Sequence, residues 1–298
     1  MNLSEIYEKF PTQKECVEYL EQIRWKGEPV CPYCESKKNH HAPAELRYFC
    51  HDCKRSYSVK IGTIFDDTRL PLQKWFLAIT LILNAKKGIS SRQLARDLGV
   101  TKDTAWSMQM RIREAMIETP SLLLGVVEMD ETYIGARTPR RTSKDKDDDG
   151  NYPKLPRGRG TSKTPVVGMV ERGGRVIAQK QKELKFADLK KIADSHIDFE
   201  NTVLMTDDYR GYAPFRHFLN HKSVNHSQKQ WANGSIHTNT IESFWAIVKR
   251  GIVGQYHHLS DKYLNRYITE FCFKYNNRKT QDVFELVLTN ALGALIYE

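Results

Sequence analysis

The sequence predicts a multidomain α/β protein in which a small cysteine-bound ribbon and a helix-turn-helix region precede a mixed-sheet domain. Three observations predict it. Four of the six cysteines fall in two pairs, Cys31-Pro-Tyr-Cys34 and Cys50-His-Asp-Cys53, separated by residues 35–49. Residues 72–118 carry helical spacing throughout. From residue 121 onward, apolar strand-like runs alternate with amphipathic helices. The 298 residues suit two or three domains. The expected divisions are 1–65 (helix and ribbon), 66–120 (helix-turn-helix) and 121–298 (mixed sheet).

Taken in order, residues 11–25 predict a helix with Cys16, Tyr19, Leu20 and Ile23 as its apolar stripe. In the ribbon, each Cys-x-x-Cys makes a tight turn that aims two sulfurs at one point, and two such turns supply tetrahedral zinc. Cys31, Cys34, Cys50 and Cys53 are therefore expected to hold a structural Zn²⁺, which leaves no open position for catalysis. So small a domain draws much of its folding energy from the metal. Strands are expected at 46–50 and 55–65. Cys16 and Cys272 stand alone and read as core thiols; His257 and His258 read as surface histidines.

The segment 72–86 reads as one apolar helix, and 88–116 as two helices about Gly99. Ser90 or Ser91 caps the first and Thr101 or Asp103 the second. A second helix of this kind enters the major groove. Thr101, Lys102, Thr104 and Ser107 would then face DNA, with Arg111 and Arg113 near phosphates. A plain helical hairpin is the competing reading. Residues 137–163 lose apolar character and hold nine basic and four acidic side chains, predicting a long insertion between strands. There, Arg157 and Arg159 lean toward phosphate contact; the alternative is a solvated loop. Beyond it, 165–172 and 174–181 read as a hairpin turned at Gly173-Gly174, 186–197 as an amphipathic helix, 201–208 as a buried strand, and 240–250, 261–278 and 283–297 as helices.

Three acidic positions carry the candidate chemistry. Asp130 follows the apolar run 122–129, and Asp207 follows Val203-Leu204-Met205 at a strand's carboxyl end. Glu242 sits on a helix with Lys249 two turns later on the same face. Strand alternation puts Glu128, Asp130 and Thr132 on one face and Glu131 on the other. Such carboxylates suit a pair of Mg²⁺ or Mn²⁺ ions for phosphoryl transfer on nucleic acid, because hard ions take oxygen ligands. Each has a plainer alternative: Asp130 a strand-end polar residue, Asp207 or Asp208 a helix cap, and Glu242 the third-position acid of a capping box begun by Asn239. Asn239 is itself a candidate ligand. The formal charge of +10 favours polyanions. No apolar run of spanning length and no basic-then-apolar leader is present, so the expectation is a cytosolic bacterial protein.

At these residues the chain resembles the DDE transposases of bacterial insertion sequences, in the zinc-ribbon-bearing, ISXO-like branch. The matching segments are CPYC with CHDC, VEMDETYIG, TDDYRGY, HTNTIESFWAIVKRGIVGQYHHLS and RYITEFCFKYNNR. One departure is Gly135-Ala136 where the family's first motif often has Gly-Gly. The resemblance implies a ribonuclease-H-like catalytic domain, Mg²⁺ dependence, and cutting and joining at transposon ends on nucleoid DNA. It implies Asp130 and Asp207 as ligands, Glu242 or else Asn239 as the third, and Lys249, with Arg250 beside it, against the bound DNA end. Chemistry on two ends implies a homo-oligomer when DNA is bound. A nuclease that cuts without rejoining, and a DNA-binding regulator, are the alternatives.

Overall fold

The computed structural model describes residues 1–119, 121–135, 161, 163–224, 234 and 236–293. The chain forms two compact units, one from 1–117 with the segment after residue 278, the other from Glu118–Arg278.

In the first unit, α1 (Leu3–Lys9) and α2 (Gln13–Trp25) each begin with a capping box, on Asn2 and Thr12. The ribbon follows as an antiparallel sheet of β1 (Asn39–Ala42), β2 (Arg47–Cys50) and β3 (Ser56–Tyr57), in that order. The strand expected across 55–65 is shorter than its apolar content suggests. After Tyr57 the chain turns: the amides of Ile61, Thr63 and Asp66 donate to carbonyls three residues back, and Asp66 Oδ2 accepts from the Gly62 amide.

Three helices follow, α3 (Leu72–Asn84), α4 (Ser91–Leu98) and α5 (Lys102–Glu114). Ser90 caps α4, Thr101 caps α5, and Gly99 closes α4 at φ +60°, a conformation open to glycine at little cost. Buried Gln109 ties the pair together by donating to the Ile89 carbonyl and accepting from Ser91 Oγ.

The last helix, α9 (Val283–Gly293), differs from the expected assignment to the third domain. Its Phe284 packs edge-on against Phe76 of α3, Tyr19 of α2 donates to Glu285, and the Ala291 carbonyl accepts from the Ile64 amide. Its buried Phe284, Val287, Leu288, Ala291 and Leu292 thereby complete the first unit's core.

The second unit holds a five-stranded sheet. Its strands are β4 (Leu123–Ile134), β5 (Thr164–Glu171), β6 (Val176–Lys180), β7 (Ile197–Asp207) and β8 (Asn220–Val224), in spatial order β6-β5-β4-β7-β8. The first three strands form an antiparallel meander, with Gly173 at φ +78° in the β5–β6 turn, while β7 and β8 run parallel to β4. Alternation divides β4 between two layers. Val127 and Met129 join Leu189, Ile192 and Ala193 of α6 (Phe186–His196) in one core. Toward the other face lie α7 (Asn239–Gly251) and α8 (Leu264–Asn276). On that face Gly168 of β5 lies opposite Asp130. A Cβ there would fall 2.5 Å from the Trp245 ring and 3.0 Å from Ile241 Cδ1, so the glycine lets α7 lie close against the sheet.

Candidate catalytic site

The ribbon shows its metal chemistry in its backbone. Both knuckles use one pattern: the Glu35 and Lys54 amides donate to the Cys31 and Cys50 carbonyls, and the Cys31 and Cys50 amides donate to Ser36 and Arg55. Glu35 and Lys54 are both left-handed, at φ 59° and 60°. The four sulfurs lie within 4.8 Å of one another, with Cys31–Cys53 and Cys34–Cys50 at 3.6 Å. Tetrahedral Zn–S bonds of about 2.3 Å require sulfur spacings near 3.8 Å, so the cluster fits zinc.

In the second unit Asp130 and Asp207 lie on one face of the sheet with α7, which carries Glu242, packed toward that face; among the described residues only the four cysteines already stand close enough together to hold a metal. Asp130 lies within β4, not at its end. Asp207 is the last residue of β7. The β4–β7 ladder pairs Glu128 with Met205, so Asp130 and Asp207 stand two residues further along neighbouring parallel strands, which run about 4.8 Å apart. Arg172 Nη2 meets Met205 Sδ at 3.0 Å and Arg172 Nε meets Glu128 Oε1 at 2.6 Å, which puts 128 and 205, and by alternation 130 and 207, on the same face. Burial, then the charges of Glu131, Asp207 and Glu242, push the Asp130 carboxyl up to about 8. Glu131 turns to the opposite face, as alternation requires, where Tyr212 Oη donates to it at 2.7 Å. The Tyr209 amide donates to Asp207 Oδ1 at 3.1 Å, fixing the turn that leaves the strand.

Glu242 lies in the first turn of α7, exposed on the polar side of an amphipathic helix whose Ile241, Phe244, Trp245 and Val248 are buried. The capping box expected on Asn239 is not formed. Asn239 is the first helical residue, and Thr238 at the cap position makes no side-chain cap bond. Thr238 Oγ1 instead donates to Glu242 Oε1 at 2.8 Å. Asn239, Lys249 and Arg250 are all exposed on α7, and Arg250 Nε donates to the Ala246 carbonyl.

The first turn of α7 is capped from elsewhere, through a residue whose role sequence reading did not find. Glu128 is 0% exposed. Its Oε2 accepts from the Thr240 and Ile241 amides at 2.8 and 3.0 Å, and its Oε1 accepts from Thr240 Oγ1 and Arg172 Nε. Arg172 Nη2 reaches the His237 carbonyl and Nδ1, each at 2.9 Å. Alternation gave Glu128's face; the helix it meets came only with the tertiary structure.

The other expected contacts divide. Lys102 and Ser107 are exposed at the start and middle of α5, Lys102 beside Asp103 at 3.1 Å; Thr104 shares the cap with Thr101. Arg111 and Arg113 correct the expectation of phosphate contact. Arg111 Nη1 donates to the Ile64 and Asp66 carbonyls, and Arg113 is 1% exposed on the helix face that carries Met110. Both basic ends are spent inside the first unit, because α5 buries a wide stripe there. Arg157 and Arg159, like residues 136–160 of the basic insertion, lie outside the described residues.

The family of ISXO2-like transposase domains matches residues 122–276, and the transposase zinc-ribbon domain matches 11–56. A protein described as uncharacterized in the transposable element ISH50 of Halobacterium salinarum is 28% identical over 258 residues, 81% of this chain and 83% of that protein. The solved Mos1 strand transfer complex aligns at a TM-score of 0.30 and 13% identity over 73% of this chain and 75% of that one. A pre-cleavage Mos1 transpososome aligns at 0.28 and 12%, over 75% and 79%.

Proposed function

We propose that this chain, which belongs to the family of ISXO2-like transposases, acts on DNA ends through a catalytic site of Asp130, Asp207 and Glu242 holding two Mg²⁺ or Mn²⁺ ions. The observation that supports this is that Asp130 and Asp207 share one face of neighbouring parallel strands, and that Asp130, raised by burial and then by Glu131, also feels the charges of Asp207 and Glu242. The donor set fits hard cations, since all three side chains offer oxygen, and the repulsion at Asp130 is what a bound cation relieves. When bound, such a pair of ions makes a water or a 3′-hydroxyl nucleophilic and stabilises the leaving oxygen.

The chain's own residues place the phosphodiester. Asp130 and Asp207 stand on strands, which hold a ligand more rigidly than loops. Glu242 completes the set from α7, with Asn239, one turn earlier, as the alternative third ligand. Lys249 and Arg250, two turns along the exposed side of α7, contact the phosphates of the bound end.

In this reading the second unit's sheet is ribonuclease-H-like. Helices α4 and α5 form a helix-turn-helix that, with the zinc-bound ribbon, recognises the terminal inverted repeats through Lys102 and Thr104. Two copies act together on paired ends. The test is incubation of the purified protein with the inverted-repeat ends in Mg²⁺ or Mn²⁺, scoring cleavage, and joining from a pre-cut 3′-hydroxyl end. Asp130→Ala is expected to abolish both and leave end binding intact; cleavage at undiminished rate would put the metal elsewhere.

A further inference from the structure

We propose that Glu128 is a positioning residue, a buried carboxylate that locks the first turn of α7 against β4 and so sets Glu242 opposite Asp130. The inference rests on the site reading above and adds to it a residue that touches neither metal nor DNA.

The geometry runs through four hydrogen bonds. A helix leaves its first amides without partners, and a cap side chain at its own N-terminus ordinarily takes those of the second and third residues. In α7 those residues are Thr240 and Ile241, and the cap residue Thr238 makes no such side-chain bond. Glu128 takes both amides across 112 and 113 residues of sequence, at 2.8 and 3.0 Å. Its other oxygen accepts Thr240 Oγ1 at 3.0 Å and Arg172 Nε at 2.6 Å. Arg172 continues to the His237 carbonyl, so the β5–β6 turn, the central strand β4 and the entry to α7 meet at one buried carboxylate. The helix dipole adds to the attraction, since a negative charge sits at its N-terminus.

The consequence for the site follows from spacing. Glu128 lies two residues before Asp130 on the same face of β4, and Glu242 directly follows the clamped Ile241. One carboxylate fixes the helix turn while its neighbour on the strand serves the site. The lock is also hard to imitate. All four hydrogen bonds to Glu128 are donated to it, with His237 Nδ1 a further 3.3 Å neighbour of Oε1, so a glutamine there must turn its own NH₂ toward Arg172 Nε or toward the Thr240 and Ile241 amides in one orientation or the other. Outer groups that hold metal ligands in place typically contribute about 10–100-fold to metal affinity or activity.

The test uses the full-length protein, its zinc retained, titrated with Mn²⁺ in the absence of DNA, with cleavage of inverted-repeat ends measured in parallel. Glu128→Gln is expected to weaken Mn²⁺ binding by about tenfold or more. Its cleavage rate should recover substantially at saturating Mn²⁺, because the three ligands remain. Glu128→Asp keeps the charge and the four acceptor sites but is one methylene shorter, and should fall between the two; it also serves if the glutamine variant does not fold. A Glu128→Gln protein with wild-type Mn²⁺ affinity, its cleavage falling only with its folded fraction, would reduce Glu128 to a structural cap and overturn the proposal. Asp130→Ala separates the two levels. It should lose Mn²⁺ binding outright, and wild-type affinity in that variant would sink the site reading itself.

Discussion

At the scale of single residues, chemistry turns on which carboxylates share a charge and which are spent on structure. Five acids lie close in sequence or space, and the fold sorts them. Glu131 accepts from Tyr212 in the α6 layer, Glu128 caps α7, and Asp130 is left among Asp207 and Glu242. Replacing Asp130 or Asp207 by Ala should lower end cleavage by at least the roughly 10²–10³-fold that loss of one electrostatic stabiliser costs. Glu242→Gln should fall as far, and Asn239→Ala much less; the reverse order in a cleavage assay would make Asn239 the third ligand. Asp130 also carries a pH signature. Its folded carboxyl titrates near 8, far above its ordinary 3.8, so the folded state binds the extra proton between those values. Stability of the protein without Mg²⁺ or Mn²⁺ therefore falls as pH rises through that window, by at most about 6 kcal/mol. Thermal melts of the zinc-loaded protein without added Mg²⁺ or Mn²⁺, from pH 5 to 8, should show that decline, and Asp130→Asn should flatten it. A melting temperature that instead rises with pH in wild type would contradict the assignment.

At the scale of elements, the close approach of α7 to the sheet depends on Gly168. Its backbone tolerates alanine, but the added Cβ meets the Trp245 ring at 2.5 Å. Gly168→Ala should cost about 1–3 kcal/mol by overpacking, lower the melting temperature and reduce cleavage by displacing Glu242. Unchanged melting and cleavage would show that the ring moves freely aside. Much of this layer was legible in sequence. The alternation of 128–132 along β4 assigned Asp130 and Glu131 to opposite faces, and the two-turn spacing put Glu242 and Lys249 on one face of α7, where both are exposed. What was not legible was long-range. Thr238-Asn239-Thr240-Ile241-Glu242 reads locally as a capping box, yet the cap comes from Glu128, more than a hundred residues earlier in the chain. Strand β8, Asn220–Val224, is polar at four of five positions, so no apolar alternation announced it. Arg111 and Arg113 failed for a related reason: basic charge at the end of a helix says nothing about whether a carbonyl or a phosphate receives it.

Over the whole molecule, the two units rest on different physics. The first draws on a cluster of four thiols as well as an apolar core. Removing zinc, or replacing Cys31 by Ser, should unfold the ribbon between Cys31 and Tyr57 and abolish end binding. The second unit, lacking such thiols among its described residues, should keep its melting transition; circular dichroism with zinc quantification reads both. Residues 279–293 were misassigned from sequence because α9 is apolar on its inner face in either domain, and only its contacts with Phe76 and Tyr19 place it. The account as a whole depends on three acids acting as one cation site. The most direct test is calorimetric titration of the zinc-loaded protein with Mn²⁺, wild type beside Asp130→Ala, Asp207→Ala and Glu242→Gln. Saturable binding in the wild type, lost in the first two variants and weakened in the third, is the expected result. Equal binding in all four proteins would contradict it.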